Sequence, residues 1–177
     1  MTDEPDVQDL AALGITPRRG GLTPSTMITS FRAIATPAPQ SGMRTVSTAA
    51  GPRQITTGGI GLPAFRQALK TEAAVAAVTV GCQEGALGLD VTFRFRLPES
   101  RPTWEREAAA LPEGLPMIVY PDIDKLERAV LDGLVEGGLI RDDRLICSVV
   151  KRKVEVWDSW VGAAIVLNRV RRERGAA

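Results

Sequence analysis

Apolar positions along this chain change period several times, and each change marks an element. Residues 27–36, MITSFRAIAT, alternate weakly and predict a first strand. Residues 37–61 are rich in Pro, Gly, Ser and Thr and predict a long loop, with a short hairpin near Arg44 to Ile55. From Leu62 the spacing turns helical, through Leu62, Phe65, Leu69, Ala73 and Ala76, and Pro63 fits a first helical turn. The segment ALGLDVTFRFRLP is the clearest strand. Leu87, Leu89, Val91, Phe93, Phe95 and Leu97 share one face, and Asp90, Thr92, Arg94 and Arg96 share the other, which predicts a sheet with one face in the core. Residues 98–116 predict a second polar loop, holding Trp104. A second helix is predicted over Ile123–Glu136, packed through Ile123, Leu126, Val130 and Leu134 and closed by Gly137-Gly138. LIRDDRLICSVVKRKVEVW reads as a turn and a strand, and GAAIVLNRV as the last strand.

The order β–α–β–α–β–β predicts one small domain of the α+β (mixed α/β) class, a mixed sheet with two main helices. Its expected bounds are residues 27–170. Before it comes an expected disordered acidic tail, 1–26, and after it a basic flexible C-terminus, 171–177.

Composition narrows the chemistry. The 177 residues are 44% hydrophobic, enough for a real core. No apolar run approaches ~18 residues, so no membrane span is expected. The start, MTDEPDVQDL, is acidic and unlike a secretory leader. Cys82 and Cys147 follow no ligand spacing and suit a reducing, cytoplasmic setting. There is no histidine at all. Ser-His and Cys-His nucleophile pairs, His-ligated zinc and histidine bases are excluded together.

Net charge is +1, but it is unevenly spread. Residues 141–177 carry nine cations against five acids, while the first 23 residues carry four acids against Arg18 and Arg19. A basic C-terminal third suits a polyanion partner, although a solvated face has the same composition.

The stretch VYPDIDKLERAVLDGL places Asp122 and Asp124 at the mouth of the second helix. Asp124-Lys125-Leu126-Glu127 has the form of a capping box, with Asp124 at the N-cap. Asp122 then lies outside the helix, beside a like charge, where a hard divalent ion is one means of neutralisation. Arg128, four residues after Asp124, reads either as an ordinary ion-pair partner or as a cation that meets a reacting phosphate. Asp132, a further four on, completes a charge ladder. Beyond the helix, IRDDR supplies Asp142 and Asp143 between Arg141 and Arg144. A reversing turn there permits Asp143 to return to the helix N-terminus and join the first pair. The bland alternative is a polar turn with local neutralisation.

These residues resemble the signature of the RusA family, Holliday junction resolvases common in phages and prophages. The matching run is PDIDKLERAVLDGL…GGLIRDDRLI…VVKRK. FRAIATPAPQSGMR, PAFRQALKTEAA and LDVTFRFRLP are similar to the family's opening strand and loop, helix and next strand, so the resemblance covers residues 29–156. It implies a RusA-like fold and a Mg²⁺-dependent endodeoxyribonuclease, with Mn²⁺ a possible substitute, cleaving branched DNA as a homodimer during recombination and repair. It implies Asp122, Asp124 and Asp143 as metal-binding and catalytic carboxylates, and Arg128 as the catalytic cation. Arg128 stands where the motif has lysine, Lys125 where it has asparagine and Tyr120 where it has lysine; Arg144-Leu145 replaces Ser-Gln.

On this reading Arg44, Lys125, Arg141, Arg144, Lys151, Arg152 and Lys153 are the expected DNA-binding residues, neutralising phosphate without reading sequence. Paired cuts in a two-fold junction suit a C2 dimer. The altered residues around intact carboxylates motivate the alternative, a catalytically weakened homologue that binds branched DNA without efficient cleavage.

Overall fold

The computed structural model describes residues 26–48, 51–58, 60–157 and 159–170. The expected tail and basic C-terminus therefore lie outside the described residues, apart from Thr26, which opens the first strand. The strands are β1 (Thr26–Ala33), β2 (Gln40–Thr48), β3 (Gly51–Gly58), β4 (Leu87–Arg96), β5 (Leu115–Pro116), β6 (Ile146–Val156) and β7 (Gly162–Arg169). The helices are α1 (Leu62–Val80), α2 (Thr103–Ala109) and α3 (Ile123–Glu136). A short 3₁₀ turn, Asp143–Leu145, precedes β6. The class is α+β.

One mixed sheet has the order β1-β7-β4-β6-β5, and β2 and β3 form a separate two-stranded ribbon. Among the described strands of this sheet, β4 and β6 pair in parallel and the other pairings are antiparallel. The ribbon is the hairpin expected in the Pro/Gly/Ser/Thr-rich stretch, with Arg44 opposite Ile55.

Period-2 alternation decides what each face of the sheet touches. Leu87, Leu89, Val91, Phe93 and Phe95 of β4 and Ala163, Ile165 and Leu167 of β7 pack under α1 and α3 in one buried core. α1 contributes Leu62, Phe65, Leu69, Ala73 and Ala76, the residues its spacing predicted. The helices approach closely because Gly133 of α3 and Gly137, which caps its C-terminus, meet Leu69 and Ala73 of α1. α1 starts at Gly61, whose φ of 99° favours glycine, and has proline in its first turn.

Two expectations need correction. The polar loop 98–116 contains α2 and the two-residue β5. TWEREAA after Pro102 makes a helix of seven residues, too short to show a clear period in the sequence. The polar face of β4 is also covered rather than solvated. Thr92 is buried, and Arg94 is only 3% exposed. Arg94 donates to the carbonyl of Pro112 at 3.1 Å and to Ser159 Oγ at 3.0 Å, and it lies over the Trp160 ring, as Arg32 does. Burial, and then the nearby Arg32 charge, lowers the Arg94 pKa.

Candidate active site at the mouth of α3

α3 begins two residues after a buried proline, Pro121, and its N-cap is Asp122 rather than Asp124. The capping-box reading is thereby corrected. Leu126 N–H donates to the Asp122 carbonyl at 3.3 Å, so the helical ladder already starts there. The Asp122 carboxylate makes no capping bond. It instead accepts from Lys125 Nζ at 2.7 Å, an i,i+3 pair in which both side chains are well exposed. The Lys125 hydrogen bond and charge hold the Asp122 carboxyl below its ordinary pKa, and the same contact raises Lys125. Asp124 is exposed in the first helical turn. Negative charge there is favoured by the helix dipole. Arg128 is exposed one turn on and makes no ion pair among the described residues, so the expected Asp124–Arg128 pair is absent.

The segment entering this helix is held by β6. Met117 N–H donates to the Lys153 carbonyl at 2.9 Å. The Lys153 ammonium donates to the carbonyls of Val119 and of Pro121, the latter at 2.8 Å. Lys151, two residues earlier on the same face, pairs with Glu127 of α3. The intervening Arg152 points through the opposite face and pairs with Asp90 at 2.7 Å, adding a bond to Thr92 at 3.3 Å. Lys151, Arg152 and Lys153 thus do not form one basic stripe. A strand turns successive side chains to opposite faces, and all three cations already have partners within the chain.

Asp142 and Asp143 lie at the other end of α3. Asp142 caps the 3₁₀ turn, accepting from Arg144 N at 3.0 Å, and pairs with the Arg144 side chain. Asp143 is exposed and shares a groove of about 370 Å³ with Asp132, Val135, Glu136, Arg141 and Asp142. Arg141 pairs with Glu84 at 2.8 Å. Asp132, expected to extend a charge ladder, accepts from Gln40 Nε2 at 2.6 Å and ties the base of the ribbon to α3. Arg44 lies within β2; its side chain is outside the described residues.

The expected return of Asp143 to Asp122 does not occur within one chain. The 14 residues of α3 set the two ends roughly 20 Å apart. Ile140 is bridged to Gln83 and β6 starts beside Leu87, which pins the connection at the far end. Among the described residues no three acidic or thiol side chains are grouped to hold a metal ion. Asp122 and Asp124 are hard oxygen donors of the kind Mg²⁺ takes, in the number it commonly draws from protein. The donor chemistry fits.

The family is settled by comparison with known sequences. Residues 36–165 match the family described as Endodeoxyribonuclease RusA. The chain belongs to that family of nucleases. The match contains the whole acid–cation constellation, from Arg44 through Asp122 and Asp124 to Lys153. No curated protein matches the chain. No described helix is long and apolar enough to cross a membrane.

Sequence reasoning did not find the part Lys153 plays. Its position in a basic run suggested a phosphate contact, whereas its ammonium braces the loop before Asp122. The available signal was alternation, which puts Lys153 on the same face as Val149 and Lys151, towards α3.

Proposed function

We propose that this chain is a divalent-metal-dependent endonuclease of branched DNA, four-way junctions above all, acting as a homodimer. The observation that carries this reading is the display of Asp122 and Asp124 in solvent at a helix N-terminus, beside Lys125 and with Arg128 one turn on, in a RusA-family chain. Asp122 and Asp124 would hold Mg²⁺, or Mn²⁺ in its place. When bound, such an ion supplies Lewis-acid stabilisation of phosphate charge and activates a water at neutral pH. The chain's own part is positioning and charge. The α3 N-terminus favours a phosphate, Lys125 and Arg128 neutralise it, and the Lys153 brace fixes the backbone that carries Asp122.

The separation along α3 also gives the dimer a reason. Asp143 of one protomer completes the site of Asp122 and Asp124 in its partner. Two such sites under one two-fold axis suit paired cuts. Asp122→Asn and Asp143→Asn proteins should each fail to nick a synthetic junction in Mg²⁺, and EDTA should stop the wild type. Mixing the two variants should restore nicking, because one of the two shared sites in a mixed dimer keeps every carboxylate. Cleavage in EDTA, or none with any divalent metal, overturns the enzyme reading. Variants that fail to complement overturn the shared site.

One observation favours a second reading, a homologue that binds without efficient cleavage. Lys125 already occupies the Asp122 carboxylate at 2.7 Å. Junction binding with no nicking in the wild type, and nicking gained in Lys125→Asn, would establish it.

A further inference from the structure

Three consecutive apolar side chains stand in water beside the carboxylates. Ile118, Val119 and Tyr120 are 94%, 50% and 67% exposed. The segment has little freedom to turn them inward. Met117 packs against the main core and is bonded to β6, Pro121 is buried, and Lys153 grips the carbonyls between and after them. A backbone braced at both ends holds a small apolar ridge outward, and a contiguous ridge of this kind marks a contact surface.

We propose that Ile118 and Tyr120 stack on a base face left unstacked at the branch point of the DNA, next to the phosphate at the Asp122 site. The inference rests on the branched-DNA reading and adds to it a residue-level basis for choosing branched over duplex DNA. Position supports it, since Tyr120 is two residues from Asp122, at most ~7 Å along an extended chain. A phosphate at Asp122 carries its sugar and base past the ridge. Charge supports it, because Arg128, exposed and without an ion pair among the described residues, stands one turn along α3 and suits a nucleic-acid strand. Size supports it against a second copy of the chain. Three side chains match one or two base faces, whereas a stable protein interface takes about 800 Å² from each partner. Bases in intact duplex have both faces covered, while a branch exposes faces to an aromatic side chain. The contact therefore discriminates structure, not sequence.

The test uses a four-way junction with 2-aminopurine at the branch, a matched duplex, and EDTA to prevent cleavage. Wild-type protein should change the 2-aminopurine fluorescence of the junction but not of the duplex. The Ile118→Ser/Tyr120→Ala protein should lose that change and bind the junction about tenfold more weakly, with duplex affinity unaltered. Tyr120→Phe should behave as wild type. Equal weakening on both DNAs, or no weakening on either, overturns the inference. So does sedimentation showing that the double variant splits an oligomer, since a second copy then covers the ridge. A wild type without junction preference removes the branched-DNA reading itself, whereas a preference that survives in the variant removes the ridge alone.

Discussion

Lys153 on β6 reaches across 32 residues of sequence to donate to the carbonyl of Pro121 at 2.8 Å, and so the sheet, not the helix, fixes the residue that precedes the candidate site. A charge-assisted bond to a carbonyl contributes about 1.5–3 kcal/mol, less where water reaches it, as it does here. Lys153→Met should lower stability by about 1 kcal/mol and loosen residues 117–121. Thermal melts and limited proteolysis would show both effects. Unchanged protection of that segment would remove the brace from the account.

Lys125 is the largest cause of the depressed Asp122 pKa. In Lys125→Ala the carboxyl should titrate at higher pH, by carbon-detected NMR. The same substitution should free a carboxylate oxygen and lower the divalent concentration needed for half-maximal nicking. An Asp122 titration that does not move would show that the pair does not persist in solution.

Gly137 marks the tightest backbone approach between the helices. A Cβ placed there meets Ala73 Cβ at 2.6 Å, the Lys70 carbonyl at 2.7 Å and Ala74 N at 3.0 Å. Gly137→Ala should therefore destabilise by about 1–3 kcal/mol, despite the better helix propensity of alanine. Gly133→Ala makes one such close contact, with Leu69 Cβ at 2.6 Å, and none with backbone, and should cost less. Urea titrations of the two variants test the order.

Asp90 predicts a pH dependence. Burial raises its pKa, and Arg152 offsets this only in part. The folded state then holds the proton more tightly than the unfolded chain. The contribution of Asp90 to stability is full below its unfolded pKa and falls as pH rises through the folded value. Asp90→Asn should flatten that portion of a stability curve recorded from about pH 3 to pH 6. An identical slope in both proteins would assign it to other groups.

How far the sequence could be read depended on range. The cores of α1 and β4 were legible because Leu62 to Ala76 and Leu87 to Leu97 each carry a long run of one period. α3 was legible from Ile123 to Glu136, but its cap was placed at the wrong aspartate. The pattern Asp124 to Glu127 satisfies a local capping rule, whereas Lys125 takes the Asp122 carboxylate and Lys151 takes Glu127, the latter through tertiary contact. The carboxylates themselves were legible as chemistry. Their separation was not, because spacing along a chain does not say which end of a helix the next turn occupies; the bridge of Ile140 to Gln83 decides it. The burial of Arg94 was hidden for the same reason, since Trp160 and Pro112 lie 66 and 18 residues away in sequence.

The contact of Gly133 and Gly137 with Leu69 and Ala73 has a mechanical consequence. Two glycines one turn apart seat two side chains one turn apart, so α1 and α3 mesh like gear teeth. Sliding either helix by part of a turn drives a side chain into backbone. The pair therefore shifts only as one body, so any movement of α3 against the sheet carries α1 with it.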